Sequence, residues 1–122
     1  MKAKKLFFKE CHLAGAMYHD LDEVFDSLTI GTELELVRDL ENRYDSNAVA
    51  VVYHKKGDED MPDEEFLLGY IPRNENEAIA GLLEMGWGHI FKCTISRINP
   101  EAHYENQIHM KISIVRNGAD SL

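Results

Sequence analysis

The chain has 122 residues, of which 44% are hydrophobic, and this is enough apolar material for the core of one domain spanning residues 1–122. Its formal charge of −9 at neutral pH argues against a broadly basic surface, so any binding of nucleic acid is expected to be weak or confined to a special structure such as an end. No apolar run is long enough to span a membrane and the N-terminus lacks the apolar segment of a signal peptide, so we expect a cytoplasmic protein with no membrane partner.

The N-terminal third contains two predicted strands and a short helix. Residues 6–14 are strand-like, and residues 22–28 carry apolar side chains that a short helix could bury against a core. Residues 32–38 include the alternating run Glu33, Leu34, Glu35 and Leu36, and this period of two is typical of a strand with one exposed face.

A dense polar turn at residues 42–47, Asn-Arg-Tyr-Asp-Ser-Asn, leads directly into an apolar strand over residues 48–53. Asn, Asp and Ser side chains bond nearby backbone amides and so fix a tight loop. Tyr44 lies in the middle of this loop, where a large ring has little core to bury into. The strand is apolar on both faces, which predicts a place in the middle of the fold. A rigid loop that carries an aromatic ring, a carboxylate and carboxamides indicates a recognition surface and not a reaction centre.

Residues 57–65 form an acidic insert between this strand and the next one, which is predicted over residues 66–71. The insert holds six carboxylates: Asp58, Glu59, Asp60, Asp63, Glu64 and Glu65. Subtracting these six charges from −9 leaves −3 for the remaining body, while four lysines near the N-terminus provide a basic end. We interpret the insert as the solvated tip of a long hairpin.

One longer helix and two strands complete the pattern. The helix is predicted over residues 74–85, with Asn74 as its N-cap, Glu77 in capping-box position and Gly86 as its stop. Strands follow over residues 91–96 and 108–114, where apolar and polar residues alternate, and residues 118–122 are expected to fray. Six short strands, with this helix between the hairpin and the last strand pair, predict a mostly β fold that forms a small barrel or a strongly curved sheet.

The cysteines and histidines do not indicate a metal site. Cys11 and Cys93 lack metal-type spacing and fall in predicted strands, where a thiol is usually a small core side chain. The six histidines show no ligand spacing, so zinc or another metal is not expected, and neither is a cofactor. The sequence also lacks a Walker-type glycine loop, His-Glu-x-x-His and Gly-x-Ser-x-Gly, which favours a binding module over an enzyme.

A second motif joins the polar turn. Residues 68–77, Leu-Gly-Tyr-Ile-Pro-Arg-Asn-Glu-Asn-Glu, end a strand, turn at a proline and begin the predicted helix. Together with residues 42–51 and 13–20, they resemble the HIRAN domain family over a core of about residues 8–114. The resemblance implies a six-stranded, modified OB-like β-barrel with two helices. In members fused to helicase-like ATPases, such a domain binds single-stranded DNA by its 3′-hydroxyl end; with no room for an ATPase, this chain resembles the stand-alone bacterial members.

The resemblance implies six nucleic-acid-binding residues: Tyr18, Asn42, Tyr44, Asp45, Tyr70 and Arg73. Tyr18 and Tyr44 match the aromatic positions that hold the terminal bases, and Asp45 matches a carboxylate that accepts a hydrogen bond from the 3′-hydroxyl. Asn42 could bond the terminal nucleotide, and Arg73 could pair with a phosphate. Two stacked bases and one or two phosphate contacts imply an affinity of about micromolar for a single-stranded DNA end.

Three positions depart from the family's pattern: Arg43 replaces a usual Pro, Met17 stands where DNA-binding members can carry a basic residue, and Tyr70 stands where some relatives have His. Two alternatives stay open. Tyr44 and Asp45 could be structural, with the ring covering the rim of the barrel and the carboxylate capping its own loop. The chain could also be an adaptor domain for a nuclease or helicase, without direct DNA binding, in which the acidic insert serves the partner.

Overall fold

The computed structural model describes residues 4–116 and contains one six-stranded antiparallel sheet with short helices. The strands are β1 (Lys5–His12), β2 (Glu33–Arg38), β3 (Val49–Lys55), β4 (Glu64–Tyr70), β5 (Phe91–Ile98) and β6 (Ile108–Val115). The α-helices are α1 (Leu21–Val24), α2 (Glu77–Glu84) and α3 (Tyr104–Gln107). Short 3-10 turns cover Ala16–Tyr18, Phe25–Ser27, Arg73–Glu75 and Gly88–Ile90. The order of strands across the sheet is β1-β6-β5-β2-β3-β4.

The mostly β class with six strands and short helices, predicted from the sequence, is confirmed, but the closed barrel is wrong. The sheet has two edges, β1 and β4, and these strands do not pair with each other along their length. The ladder between β1 and β6 ends at His12, and the chain then turns at Gly15, which has a positive φ of 69°. Only a bridge between Ala14 and Tyr70 is formed across the gap between the edges, so too little chain is left for a strand that would close the barrel.

The exposed edge of β4 is partly covered by the segment that leads into α1. The backbone N–H of Asp20 donates to the carbonyl of Leu67 at 2.8 Å, and the Asp20 carboxylate accepts from the N–H of Leu67 at 3.2 Å. These two bonds satisfy backbone groups that an open sheet edge leaves unpaired. The chain between β1 and α1 is therefore held against β4, and its residues Ala14 and Gly15 form one wall of the site described below.

The core lies on the inner face of the sheet, beneath α1 and α2. Its fully buried side chains come from every part of the chain and include Leu13, Leu21, Val51, Leu68, Ile79, Met110 and Ile112. The predicted alternation in β2 is confirmed, since Leu34 and Leu36 are buried while Glu33 and Glu35 are exposed. Strand β3, predicted to lie within the fold, is an interior strand between β2 and β4.

Both cysteines are core side chains, as predicted. Cys11 and Cys93 are buried free thiols in β1 and β5. Burial disfavours the charged thiolate, and it raises the pKa of Cys11 to about 11 and that of Cys93 to about 12.

The start of α2 differs from the sequence prediction. The helix begins at Glu77, and its N-cap is Asn76, not Asn74. The Pro72 carbonyl accepts a hydrogen bond from the N–H of Glu75 at 2.9 Å, so a 3-10 turn occupies the predicted first turn. No side chain caps the helix, and the predicted capping box with Glu77 is therefore wrong. The predicted stop is confirmed: Gly86, with a φ of 89°, directly follows the helix and its C-cap.

Residues 57–63 of the acidic insert form an ordered turn between β3 and β4, and its last two residues, Glu64 and Glu65, begin β4. Gly57 donates its N–H to the Asp63 carboxylate at 2.8 Å, and Asp58 donates its N–H to the carbonyl of Met61 at 2.9 Å. Helix α3, which was not predicted, is capped by His103, whose Nδ1 accepts from the N–H of Glu105 at 3.3 Å. The predicted fraying of residues 118–122 lies outside the described residues. No helix within residues 4–116 is long and apolar enough to cross a membrane.

Candidate functional site

A pocket of about 200 Å³ lies where β3 begins and β4 ends. Nine residues line it: Ala14, Gly15, Asn42, Tyr44, Asp45, Ala48, Tyr70, Ile71 and Arg73. Five of the six residues predicted from the sequence are among these nine, and the sixth, Tyr18, is not. The two sequence motifs, which are about 25 residues apart in the chain, are therefore brought together around one cavity.

The polar turn at residues 42–47 is built by its own side chains, as its composition predicts. The Asn42 side-chain oxygen accepts from the N–H of Tyr44 at 2.9 Å and from the N–H of Asp45 at 3.0 Å. The Asp45 Oδ1 accepts from the N–H of Asn47 at 2.9 Å. These short-range bonds fix the backbone and thereby the direction in which the Tyr44 side chain leaves it. Asn42 and Asp45 thus have structural roles in the loop.

The second oxygen of Asp45 is held from outside the loop. Asn76, which is only 1% exposed, donates its side-chain Nδ2–H to the Asp45 Oδ2 at 2.8 Å. A carboxylate offers about four acceptor positions, so two remain after the bonds from Asn47 and Asn76. The structural role of Asp45 therefore leaves room for a ligand hydroxyl. The sequence did not reveal this role of Asn76, because its partner Asp45 is 31 positions away in the chain.

The two tyrosines that were predicted to stack on bases are both on the surface. Tyr44 is 87% exposed and Tyr18 is 79% exposed, so neither ring is packed into the core. Tyr18 ends the 3-10 turn that follows Gly15, and its N–H donates to the Gly15 carbonyl at 3.1 Å. Gly15 lines the pocket, so Tyr18 lies three residues from the pocket wall. The alternative in which the Tyr44 ring covers the rim of a barrel does not fit a ring that is this exposed.

Tyr70 lines the pocket and also has a hydrogen-bond partner within the chain. Its hydroxyl donates to the Asp39 Oδ2 at 2.6 Å, and the Asp39 backbone N–H donates to the carbonyl of Ala48 at 3.0 Å. Burial, and then the hydrogen bond to Asp39, raise the pKa of Tyr70 to about 12. The hydroxyl thus ties β4 to the segment that precedes the polar turn, while the residue lines the pocket.

Arg38 ties the loop to α2. Its Nη1 donates to the carbonyl of Ser46 at 2.8 Å, and its Nη2 lies 3.3 Å from the Glu84 carboxylate. The hydrogen bond from Asn76 to Asp45 is a second connection between the loop and α2, at the start of the helix. The loop is therefore held at two points. Arg73, by contrast, is exposed at the start of its 3-10 turn and makes no ion pair with another residue in the described part of the chain.

The acidic insert lies far from the pocket. Strand β3 connects the two, and its seven residues at about 3.3 Å each separate them by about 20 Å. Charges on a protein surface are screened over about 8 Å at physiological ionic strength. Six of the negative charges therefore have little effect on an anionic ligand in the pocket, and the net charge of the chain is a poor guide to this site.

A second, larger pocket of about 440 Å³ lies beside β2 and is lined by Glu33, Leu34, Glu35, Leu36, His54, Gly88 and Phe91. Its polar groups are already paired with neighbours. Glu35 lies 2.6 Å from the His54 Nε2, and Glu33 lies 3.3 Å from the Lys92 Nζ. A pocket lined by two glutamates does not suit a polyanion, and none of the residues predicted from the sequence lines it.

The curved antiparallel sheet and the pocket with exposed aromatic side chains define a small β-sheet binding module. The HIRAN domain model matches residues 7–115, and the chain belongs to the HIRAN domain family, as its motifs indicated. Membership supports nucleic-acid binding as the general class of function.

Two solved structures share the fold. A protein from Lactobacillus plantarum is 19% identical, with a TM-score of 0.67 over 92% of this chain and 96% of that one. The HIRAN domain of human HLTF is 14% identical, with a TM-score of 0.50 over 99% of this chain and 88% of that one. At these identities the likeness shows the fold alone. Among curated proteins, none matches the sequence of this chain.

Proposed function

We propose that this chain is a non-catalytic module that binds the end of a single DNA strand and recognises its 3′-hydroxyl group. HIRAN domains are in general non-catalytic modules that bind single-stranded DNA, and membership in this family supports DNA as the class of ligand. The observation that carries the proposal is the pocket that Asn42, Tyr44, Asp45 and Arg73 line together. Its volume of about 200 Å³ leaves room for part of a terminal nucleotide but not for a base-paired duplex.

Aromatic stacking supplies most of the affinity in this proposal. The exposed ring of Tyr44 stacks on the terminal base, and Tyr18 stacks on the base before it. A base stacked on an aromatic side chain contributes about 1–3 kcal/mol and does so for every base, so binding is expected to depend little on sequence. Both rings are accessible for stacking because neither packs into the core.

The carboxylate of Asp45 provides the selection for an end. Its two remaining acceptor positions suit the hydroxyl of a 3′ terminus, which can donate a proton. A strand that continues past this point, or that ends in a phosphate, brings an anion to the same place. Two unit charges at 4 Å repel by about 1 kcal/mol in water and about 4 kcal/mol near a protein surface, which is enough for a tenfold preference or more.

Arg73 supplies the contact with the phosphate backbone. It is exposed at the pocket and has no ion-pair partner within residues 4–116, so its charge is available to a ligand. A charge-assisted hydrogen bond to phosphate contributes about 1.5–3 kcal/mol. With two stacked bases and the loss of freedom on binding, the expected dissociation constant is about micromolar.

Fluorescence anisotropy tests this proposal with short labelled oligonucleotides of one sequence that end in a 3′-hydroxyl or a 3′-phosphate. The labels are placed at the 5′ end, so that only the 3′ group differs. Tighter binding of the hydroxyl end is the expected result. Equal affinities remove the end selection, and no binding of either strand at low salt removes the function.

An adaptor function is the second candidate, because the acidic insert is ordered, exposed and remote from the pocket. In this case the insert docks a nuclease or helicase, and the chain brings that partner to DNA. Deletion of residues 58–63, which lie outside β4, should then abolish capture of the purified partner while the affinity for the oligonucleotide is unchanged. Unchanged capture contradicts the adaptor function.

A further inference from the structure

Asn76 is a buried polar residue whose side chain serves the pocket and not its own helix. It is the N-cap of α2, and an asparagine at this position usually accepts a hydrogen bond from a backbone N–H of the first turn. Here no such bond is formed. The 3-10 turn before the helix leaves Asn76 with helical angles, φ −100° and ψ −13°, where an N-cap residue is usually extended.

The side chain of Asn76 is instead directed at Asp45. Its Nδ2 lies 2.8 Å from the Asp45 Oδ2, while the N–H of Asn47 lies 2.9 Å from the Oδ1. Each carboxylate oxygen is thus held by one donor, and a rotation of the carboxylate group breaks both bonds. Asp45 lines the pocket but Asn76 does not, and Asn76 is only 1% exposed.

We propose that Asn76 is a positioning residue that sets the selectivity for a strand-terminal hydroxyl, acting through Asp45 and without touching the DNA. This inference rests on the proposed function. With its Oδ2 held, the Asp45 carboxylate keeps its free acceptor positions in one orientation. A terminal hydroxyl can then bond to them without any rearrangement, and a terminal phosphate cannot make the carboxylate rotate away. Without the donor from Asn76, the carboxylate is held only by the backbone of its own loop and can turn away from a terminal phosphate.

The loop offers a matched control for this role. Arg38 ties the same loop to the same helix, but through the backbone carbonyl of Ser46 and the Glu84 carboxylate. Glu84→Ala removes the ion pair on the helix side and leaves both bonds to Asp45 in place. If selectivity depends only on how firmly the loop is held, Glu84→Ala should lose it too. If selectivity depends on the orientation of the Asp45 carboxylate, Glu84→Ala should keep it.

The test compares the wild-type chain with Asn76→Ala and Glu84→Ala, each against strands that end in a 3′-hydroxyl or a 3′-phosphate. In Asn76→Ala the preference for the hydroxyl should fall by roughly tenfold, the effect of one lost hydrogen bond to a charged group. Binding of the phosphate end should not weaken. In Glu84→Ala the preference should be retained. Circular dichroism checks that each variant is folded at the temperature of the measurement.

Three results overturn the inference, and they are distinguishable. If Asn76→Ala weakens both ends equally, Asn76 only supports the structure. If Asn76→Ala keeps the preference, the carboxylate does not depend on Asn76. A wild-type chain without any preference overturns the proposed function, and the inference falls with it.

A measurement on the wild-type chain covers the case in which Asn76→Ala does not fold. The side-chain amide signals of Asn76 are followed by nuclear magnetic resonance while each strand is added. A larger shift with the 3′-hydroxyl end than with the 3′-phosphate end supports the inference. Equal shifts, or none during a titration in which the Tyr44 amide moves, overturn it.

Discussion

Ala14 and Tyr70 exchange two backbone hydrogen bonds, each 2.8 Å long, across the gap between the two edge strands of the sheet. This bridge joins the two edges of the sheet at one point, whereas a closed barrel would join them along the length of the strands. It fixes the turn that begins at Gly15 against the end of β4, and both Gly15 and Tyr70 line the pocket. The distance between the wall that leads to Tyr18 and the loop that carries Tyr44 therefore depends on this contact.

The bridge requires a glycine at position 69. A Cβ atom built there would lie 2.5 Å from the carbonyl oxygen of Ala14 and 2.9 Å from the Leu13 side chain. Gly69→Ala should therefore lower the free energy of unfolding by about 1–3 kcal/mol, since backbone must move to admit the methyl group. Urea denaturation measures the change. Gly81→Ala is the control: in α2 nothing lies within 4 Å of the added atom, and the variant should be more stable by about 0.5–1 kcal/mol. A Gly69 variant as stable as the wild type would show that the edges are not in close contact.

Tyr44→Ala separates binding from folding. The ring is almost fully exposed, so its loss should leave the stability within about 0.5 kcal/mol of the wild type. The affinity for a single-stranded oligonucleotide should fall by about 1–3 kcal/mol, or roughly 5–150-fold, because one stacked base is lost. Anisotropy gives the affinity and thermal unfolding the stability. Leu40→Ala is the control, since Leu40 is another exposed apolar side chain beside the same loop but has no ring. Equal losses in the two variants would contradict stacking.

Apart from the start of α2, features that depend on neighbouring residues could be predicted from the sequence, and features that join distant residues could not. The alternation in β2, the stop at Gly86 and the self-bonded turn from Asn42 are local, so composition and spacing are sufficient. The bond from Asn76 to Asp45 joins residues 31 positions apart. The pattern of residues within one segment cannot reveal a hydrogen-bond partner in another segment.

The barrel was overpredicted for a related reason. Six short strands with turn signals are compatible with a closed or an open sheet, because closure depends on whether the first and last strands in space meet. Five of the six site residues named from the family motifs line one pocket, but the motifs did not reveal that the Tyr70 hydroxyl is bound to Asp39 or that Asn76 is bound to Asp45. These are side-chain partners, which a motif leaves undetermined.

Tyr70 should give the protein a phenol that titrates at unusually high pH. Its pKa is raised to about 12 by burial and by the hydrogen bond to Asp39, so the neutral form is favoured in the folded state. The resulting stabilisation is fully present below pH 10, the ordinary pKa of tyrosine, and is lost as the pH rises through about 12. Phenolate absorbance of the folded chain should show this late step, and Tyr70→Phe should remove it. A Tyr70→Phe titration that matches the wild type would contradict the bond to Asp39.

The two thiols should be protected in the folded chain. Burial raises the pKa of Cys11 to about 11 and that of Cys93 to about 12, and the thiolate is the reactive form. At mildly alkaline pH, alkylation of the native protein should therefore be slow, while in denaturant both thiols should react at once. Mass spectrometry counts the labelled sites over time. Rapid labelling of either thiol in the native protein would indicate that its strand opens readily.

The position of a charge should matter more for DNA binding than the net charge of the chain. Replacing two exposed acids of the insert, Glu59→Gln and Asp60→Asn, removes two negative charges about 20 Å from the pocket, more than two screening lengths at physiological salt. Affinity for the oligonucleotide should then change by less than about twofold at that ionic strength. Glu41→Gln removes one charge beside the polar loop, where the N–H of Glu41 is bonded to Asp39, and should strengthen binding by roughly two- to fivefold.

Anisotropy titrations at low and physiological salt distinguish the two positions. At low salt the screening length grows to about 30 Å, so the insert variant should bind more tightly than the wild type there and lose this advantage as salt is added. Glu41→Gln should keep most of its advantage, because residue 41 directly precedes Asn42, which lines the pocket. If neutralising the insert strengthens binding as much as Glu41→Gln does at physiological salt, then the DNA passes close to the insert and the pocket at residues 42–48 is not where it is held.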